Sequence, residues 1–314
     1  MNSCLKNEIP ASPRFAGEAG GRRCRPLLGT FVEIVVKDDN TTQAHHARLD
    51  EPKARQAIDA AFAAIERVHT LMSFHDPDSE VSRLNRLAYN QKIFVSSETY
   101  EVLQYAKQLH ELSDGVFDIT IASQLIDSGL LPRHNFLKEH KNYSGTTADI
   151  ELLPDGFVRF VQSMCIDLGG IAKGFAVDQA IETLKKNGIV SGLVNAGGDM
   201  RAFGQESWPV WVRHPKISGQ FQPLPDLENA ALATSANSYE NESILAQIHG
   251  RTREFLRRPF SVSVRASSCV IADALTKVVM ALAEQSESIL SQLGAAAFIA
   301  YPDNRIVCYE SVCQ

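Results

Sequence analysis

The run Ile166-Asp167-Leu168-Gly169-Gly170-Ile171-Ala172-Lys173-Gly174 joins a short apolar stretch to a helix through two glycines, with a carboxylate before the turn and a lysine just after it. Those residue types in that order suit an anion. Glycine backbone lets N–H groups approach a phosphate, the helix start adds partial positive charge, and Lys173 adds a full one. The run matches neither the P-loop nor the dinucleotide fingerprint, and a double glycine before a helix also reads as a plain tight turn. A second glycine turn, Asn195-Ala196-Gly197-Gly198-Asp199, closes the next apolar stretch, so two such turns flank one helix.

Two further segments carry reactive side chains. In Ser113-Asp114-Gly115-Val116-Phe117-Asp118-Ile119-Thr120 a helix stop leads into an aromatic and an acid, either a ligand-facing pair or a packed Phe117 with a capping Asp118. In Ile271-Ala272-Asp273-Ala274-Leu275-Thr276-Lys277, Asp273 shares a helix face with Thr276 at three residues and with Lys277 at four. That spacing offers oxygen ligands for Mg²⁺ or an Asp273–Lys277 ion pair, and spacing alone favours the ion pair.

These residues need elements to hold them. Ile58, Ala61, Phe62, Ile65, Val68 and Met72 repeat at helical spacing and predict a helix from Lys53 to Met72. Ser79 is placed to cap a short helix carrying Val81, Leu84 and Leu87, and a longer one is expected over Ser97–Leu112, stopping at Asp114-Gly115. Residues 130–147 read as a polar surface loop. Pro154-Asp155-Gly156 splits Ile150–Leu153 from Phe157–Val161 as a β-hairpin, and Met164–Asp167 reads as a strand feeding the first glycine turn. A helix over Ala172–Asn187, a strand over Gly192–Asn195 and an alternating strand over Ser261–Val264 follow. Strands and helices mix without strict βαβ alternation, so the fold class is α+β rather than a doubly wound parallel sheet.

With 314 residues, 44% of them hydrophobic, the chain can bury a large core, as one domain over 22–314 or two intimately packed lobes. Residues 1–21, rich in Gly, Pro, Asn and Ser, read as a flexible leader. A net charge of -6 and the lack of a basic run argue against nucleic acid as a partner. The six cysteines form no CxxC pair or zinc-finger spacing and read as reduced thiols; no run is long and apolar enough for a membrane span, and the expected location is cytoplasmic. Arg22-Arg23 before Pro26–Val36 looks superficially like a twin-arginine export signal, but the charged, alternating, β-branched stretch reads better as a strand.

Taken in order, Leu28-Gly29-Thr30, Met72-Ser73 with Asp78-Ser79-Glu80, Gly115-Val116-Phe117-Asp118, the Asp167–Gly174 run, Asn195–Asp199, Ala233-Thr234-Ser235 and Ala272-Asp273-Ala274-Leu275 resemble the ApbE family of FAD:protein FMN transferases, and the likeness spans nearly the whole chain past Gly21. The resemblance implies an α+β protein that binds FAD, cleaves its pyrophosphate with Mg²⁺, and transfers FMN to a Thr or Ser hydroxyl of an acceptor protein, releasing AMP. It implies that Leu28, His75, Val116, Phe117, Asp118, Asp167, Lys173 and Ile248 line FAD, and that Gly170, through its carbonyl, and Asp273 hold the metal.

Three positions depart from the family's pattern. His75 stands for a tyrosine, which leaves a ring able to stack or to hydrogen-bond. Ala246 stands for a histidine, with His249 three residues on as the substitute catalytic candidate. Lys277 stands for a threonine metal ligand, and a protonated lysine cannot ligate Mg²⁺. Either Thr276 turns in as the ligand, or the Lys277 ammonium takes the metal's place. The alternative functions are a binding-only flavin protein of the same fold and an α+β enzyme using the same turns for another nucleotide.

Overall fold

Leu28 and Gly29 both take positive φ, 55° and 71°, which is the conformation a two-residue hairpin turn demands. The expected single strand over Pro26–Val36 is therefore two: β1 (Arg22–Leu27) and β2 (Thr30–Lys37), paired antiparallel from Leu27↔Thr30 to Arg22↔Val35. Arg22 pairs with Glu33, and Arg23 and Arg25 with Asp59, so the twin arginines are part of this hairpin and its packing. The computed structural model describes residues 21–37, 51–137, 143–236 and 247–310. The proposed leader and Ala246 lie outside them, save Gly21.

The first long helix, α1 (Glu51–Met72), buries Ile58, Ala61, Phe62, Ile65, Val68 and Met72 as the periodicity requires. The Ser79 hydroxyl accepts from the Ser82 N–H at 3.1 Å and caps α2 (Glu80–Leu87). A short strand, β3 (Ile93–Phe94), precedes α3 (Ser97–Leu112), and α4 (Ala122–Asp127) follows. The hairpin of β4 (Ile150–Leu153) and β5 (Phe157–Phe160) turns on Asp155 and Gly156, both at positive φ, and β3 adds to its β5 edge.

Met164–Asp167 is not a strand. The Asn85 side chain from α2 bonds both the N–H and the C=O of Ile166, at 2.8 and 2.9 Å, and Asp167 N–H donates to the Ile119 carbonyl at 2.8 Å. A side-chain amide thus satisfies the backbone that a ladder would otherwise satisfy. After the glycine turn come α5 (Ala172–Lys186), β6 (Ser191–Ala196), β7 (Asp199–Phe203), the ribbon of β8 (Ser207–Arg213) and β9 (Phe221–Glu228), and β10 (Ala231–Ala236). The chain continues through β11 (Ser261–Ala266), α6 (Cys269–Leu282), α7 (Glu287–Gln292), β12 (Ala296–Ala300) and β13 (Ile306–Glu310).

Eight of these strands form one sheet in the order β1-β2-β6-β7-β10-β11-β12-β13, with every neighbouring pair antiparallel. Alternation sends successive residues to opposite faces. Val32, Ile34 and Val36 of β2 join the core beneath α1, α5 and α6, whereas Val35 joins a second cluster with Leu193, Leu232, Phe298 and the ribbon residues Trp208, Val210 and Leu227. The ribbon β8–β9 covers that outer face. On the inner face α6 is buried nearly all round, including Asp273 and Thr276, and packs on β10, β11 and α5. The architecture is α+β.

Candidate functional site

A tight approach of two helices positions the site. Gly174, in the first turn of α5, lies so near the start of α6 that a Cβ there would stand 2.2 Å from the Cys269 carbonyl oxygen. That proximity lets the Gly174 N–H donate to Asp273 Oδ2 at 3.0 Å, delivering a carboxylate from α6 to the start of α5. One turn further along α5, Asp178 accepts from the Cys269 and Val270 N–H groups at 2.9 and 2.8 Å and pairs with Arg201 at 2.8 Å. It caps the otherwise open N-terminus of α6 and locks both helices to β7.

Around this junction the two glycine turns meet. Lys173 forms an ion pair with Asp199 Oδ2 at 2.7 Å, and Asp199 Oδ1 accepts from Thr234 N–H at 3.3 Å. Burial disfavours charge on Lys173, but the Asp199 and Asp273 carboxylates outweigh it and lift its pKa to about 12. Burial, and then the neighbouring Asp273, push Asp199 upward. The Asn195 side chain accepts from Gly198 N–H at 2.9 Å, and Gly197, at φ 65°, leaves no room for a Cβ against Thr30. The hairpin tip that carries Leu28 therefore leans on the β6–β7 turn.

Lys277 lies on the other side of Asp273. Its ammonium contacts Asp273 Oδ1 and donates to the Asp273 carbonyl at 3.0 Å, and its methylenes run over Gly170, where an added Cβ would meet Cε at 3.5 Å. The Thr276 hydroxyl donates to the same carbonyl at 2.7 Å and pairs with Ser235 Oγ at 2.8 Å. Three-residue helical spacing sets the Thr276 Oγ against the carbonyl one turn back.

Asp167 sits at the mouth of the first turn, its Oδ2 accepting from Gly169 N–H at 3.1 Å. Burial raises its pKa to about 6, opposed by the Gly169 N–H and by the nearby imidazole of His75, which is exposed in the turn before α2. A raised carboxyl pKa makes the folded state bind protons more tightly, so stability falls as pH rises from the unfolded value near 4 to about 6 and stays lower above that. Asp167→Asn is therefore expected to stabilise the protein by about 1–2 kcal/mol at pH 8, discounted for partial exposure, and by almost nothing at pH 4. Urea unfolding at both values checks this, and an equal gain at each would show that the charge is not the cause.

The Asp167 turn is tied through its bond to Ile119 to a third group. Asp118 Oδ1 accepts from Thr120 N–H, Thr120 Oγ1 and Thr147 Oγ1 at 2.7–2.8 Å, while Oδ2 faces Arg253 at 3.1 Å and His110 at 3.7 Å. Thr147, read from sequence as the end of a surface loop, is buried and holds this carboxylate. Gly250 N–H donates to the Val116 carbonyl at 3.0 Å, and Ile248 is buried beside it, so residues 116–118 and 248–250 form one wall. Phe117 is buried, with its N–H on Ser113 Oγ at 2.9 Å and its carbonyl facing His110 Nδ1 at 3.0 Å.

His249 is half-buried in its own loop. Its N–H donates to the Glu254 carbonyl at 2.9 Å, its carbonyl accepts from Arg253 N–H at 2.8 Å, and its Nδ1 accepts a long 3.4 Å contact from Thr252 N–H. Burial, then Arg251, lower its pKa.

The arrangement offers an anion two ammonium groups, the start of a helix and a glycine surface, beside a wall of buried apolar residues. That fits FAD, whose pyrophosphate needs the first and whose rings need the second. It does not fit a divalent metal. Mg²⁺ demands near-octahedral oxygen ligation, yet both Asp273 carboxylate oxygens, the Asp273 carbonyl and the Thr276 hydroxyl already face donors of this chain. Among the described residues no cluster of three or more His, Cys, Asp or Glu side chains could hold a metal ion. Arg253, Thr147 and Asp178 were not singled out from sequence, where each is an ordinary polar residue without a motif.

An α+β protein with a broad antiparallel sheet, two glycine turns and paired lysines and carboxylates around the α5–α6 junction is the class these features define. The solved flavin transferase ApbE from Vibrio cholerae shares the fold with a TM-score of 0.75 at 21% identity, covering 93% of this chain and 97% of that one. The ApbE protein from Thermotoga maritima gives 0.75 at 24%, covering 92% and 96%. The ApbE family matches residues 28–299, and the chain belongs to it. Two relatives are each named FAD:protein FMN transferase. One from Vibrio cholerae serotype O1 is 28% identical and spans 83% of this chain and 80% of its own; one from Treponema pallidum is 25% identical, with 92% and 89%.

Proposed function

We propose that this chain binds FAD and transfers its FMN moiety to a threonine or serine hydroxyl of an acceptor protein, releasing AMP. The observation that carries the reading is the meeting of Lys173, Asp199, Asp273 and Lys277 at the glycine turns, next to the wall of Val116, Phe117, Asp118 and Ile248. Membership of the ApbE family and the relatives' names support it. In the transfer the acceptor oxygen bonds to the FMN phosphorus, the P–O bond to AMP breaks, AMP leaves with that electron pair, and the hydroxyl proton passes to the departing AMP phosphate or to water. The ammonium groups steady the charge gathering on the pyrophosphate oxygens, Asp167 and His75 stand at the mouth, and His249 is the catalytic candidate. Leu28, on the hairpin tip beside the β6–β7 turn, lines the flavin on this reading.

On this reading residues 22–314 work as one catalytic domain behind a leader of 21 residues. Among the described residues no helix is long and apolar enough to cross a membrane. Among the described residues Cys24, Cys165, Cys269 and Cys308 form no disulfide, which suits a reducing cytoplasm. The test is to incubate the chain with FAD and a domain bearing an exposed threonine acceptor, then look for flavin fluorescence on the acceptor after a denaturing gel. A fluorescent acceptor band, with AMP in the supernatant, is expected. FAD binding with no band would favour the binding-only flavin protein, and binding of ADP or ATP in preference to FAD would overturn the flavin reading.

A further inference from the structure

The Asp273 carboxylate is fully buried, and a buried carboxylate requires a cation or a full set of donors. Family membership implies a divalent metal at this place, and the chain instead brings its own cation there. We propose that the Lys277 ammonium is the resident cation of the site, occupying the position between Asp273 and Gly170 that a metal would need, so that this chain binds FAD without a divalent metal. The proposal rests on the flavin reading for its ligand but not for its metal arm.

Three considerations carry it. The first is charge. Lys173 and Lys277 already match Asp199 and Asp273 one for one, so neither of these two carboxylates has charge left over to offset a dication. The second is geometry. Four-residue helical spacing lets the Lys277 side chain fold back along α6, and its Cε lies 3.5 Å from where a Gly170 Cβ would be, filling the space above that glycine. The third is donor count. An ammonium has three donors, and Lys277 directs two at Asp273, one to the carboxylate and one to the carbonyl. The third is left to meet a phosphate oxygen, and the Lys277 side chain is partly exposed. An ammonium held in this way supplies charge to a pyrophosphate as a point cation does, without a coordination shell to complete.

The experiment measures Mn²⁺ binding by electron paramagnetic resonance and FAD affinity by titration, on the wild-type chain and on Lys277→Thr. Wild type is expected to bind no Mn²⁺ tightly and to show an FAD affinity that changes by less than about two-fold between EDTA and Mg²⁺. Lys277→Thr is expected to lose about ten-fold or more in FAD affinity in EDTA, to bind Mn²⁺, and to recover affinity when Mg²⁺ is added. Stoichiometric Mn²⁺ in the wild type, or a ten-fold loss of its FAD affinity in EDTA, would overturn the proposal, as would a folded Lys277→Thr chain that gains no Mn²⁺. Should FAD bind to neither chain in any condition, the flavin reading fails while the Mn²⁺ arm still decides the lysine's place. Should Lys277→Thr not fold, the two wild-type measurements decide alone.

Discussion

Gly174→Ala is expected to cost about 3 kcal/mol or more of stability and to lower Tm on the order of 10 °C. The added methyl would lie 2.2 Å from the Cys269 oxygen, 2.6 Å from the Cys269 carbonyl carbon and 2.8 Å from Asp273 Cβ. Two of the three are backbone atoms at the first residue of α6, which Asp178 fixes in place through two hydrogen bonds. No side chain can swing aside, so α5 and α6 must separate. Separation stretches the Gly174–Asp273 bond and leaves a buried carboxylate short of a donor. Gly170→Ala is the matched control. Its Cβ would meet only the Lys277 chain, at an ordinary 3.5 Å, and its stability should change by less than about 0.5 kcal/mol. Thermal unfolding of both variants followed by circular dichroism checks the contrast, and a Gly174→Ala protein melting within a degree or two of wild type would show that the junction is loose.

Lys173→Met should have an effect of similar size with a different signature. The substitution keeps the bulk of the side chain and removes the charge facing Asp199, which is 1% exposed. Leaving a buried carboxylate without its cation costs about 3 kcal/mol, and the cost depends on that carboxylate being ionised. Burial and Asp273 already push the Asp199 pKa up, and removing Lys173 pushes it further in the same direction. The folded variant then binds a proton more tightly than the unfolded chain does. Its stability falls as pH rises from the unfolded carboxylate value toward the raised folded one, and stays low above it. Urea titrations should show the gap from wild type widest at pH 8 and narrowing toward pH 5. A gap of equal size at both would mean that lost packing, not lost charge, is responsible.

Much of the local structure was legible because its causes are local. The α1 stripe, the Ser79 cap, the Pro154-Asp155-Gly156 hairpin and the Asp273–Lys277 pairing each depend on residues within a turn or two of one another. What was missed depends on partners far along the chain. Met164–Asp167 has the residues of a strand, but Asn85, from α2, takes its hydrogen bonds. Thr147 lies in a polar stretch and reaches back to Asp118. Arg253 turns at φ 62°, which no side chain announces, and so meets Asp118 and Thr120. The ribbon β8–β9 and the order of the eight strands are pairing decisions made between distant segments, and alternation within one strand does not name its neighbour.

The sheet order also sets a schedule for synthesis. The β1–β2 hairpin is complete early, yet the neighbour of β2 is β6, roughly 160 residues further on, which at ribosomal rates of about 5–20 residues per second leaves it waiting on the order of ten to thirty seconds. During that interval Val32, Ile34, Val35 and Val36 present an apolar strand with one open edge. A nascent chain in this state is a natural client for a holdase, and slowing translation across the intervening α1 to α5 segment should raise the aggregated fraction more than slowing it after β6.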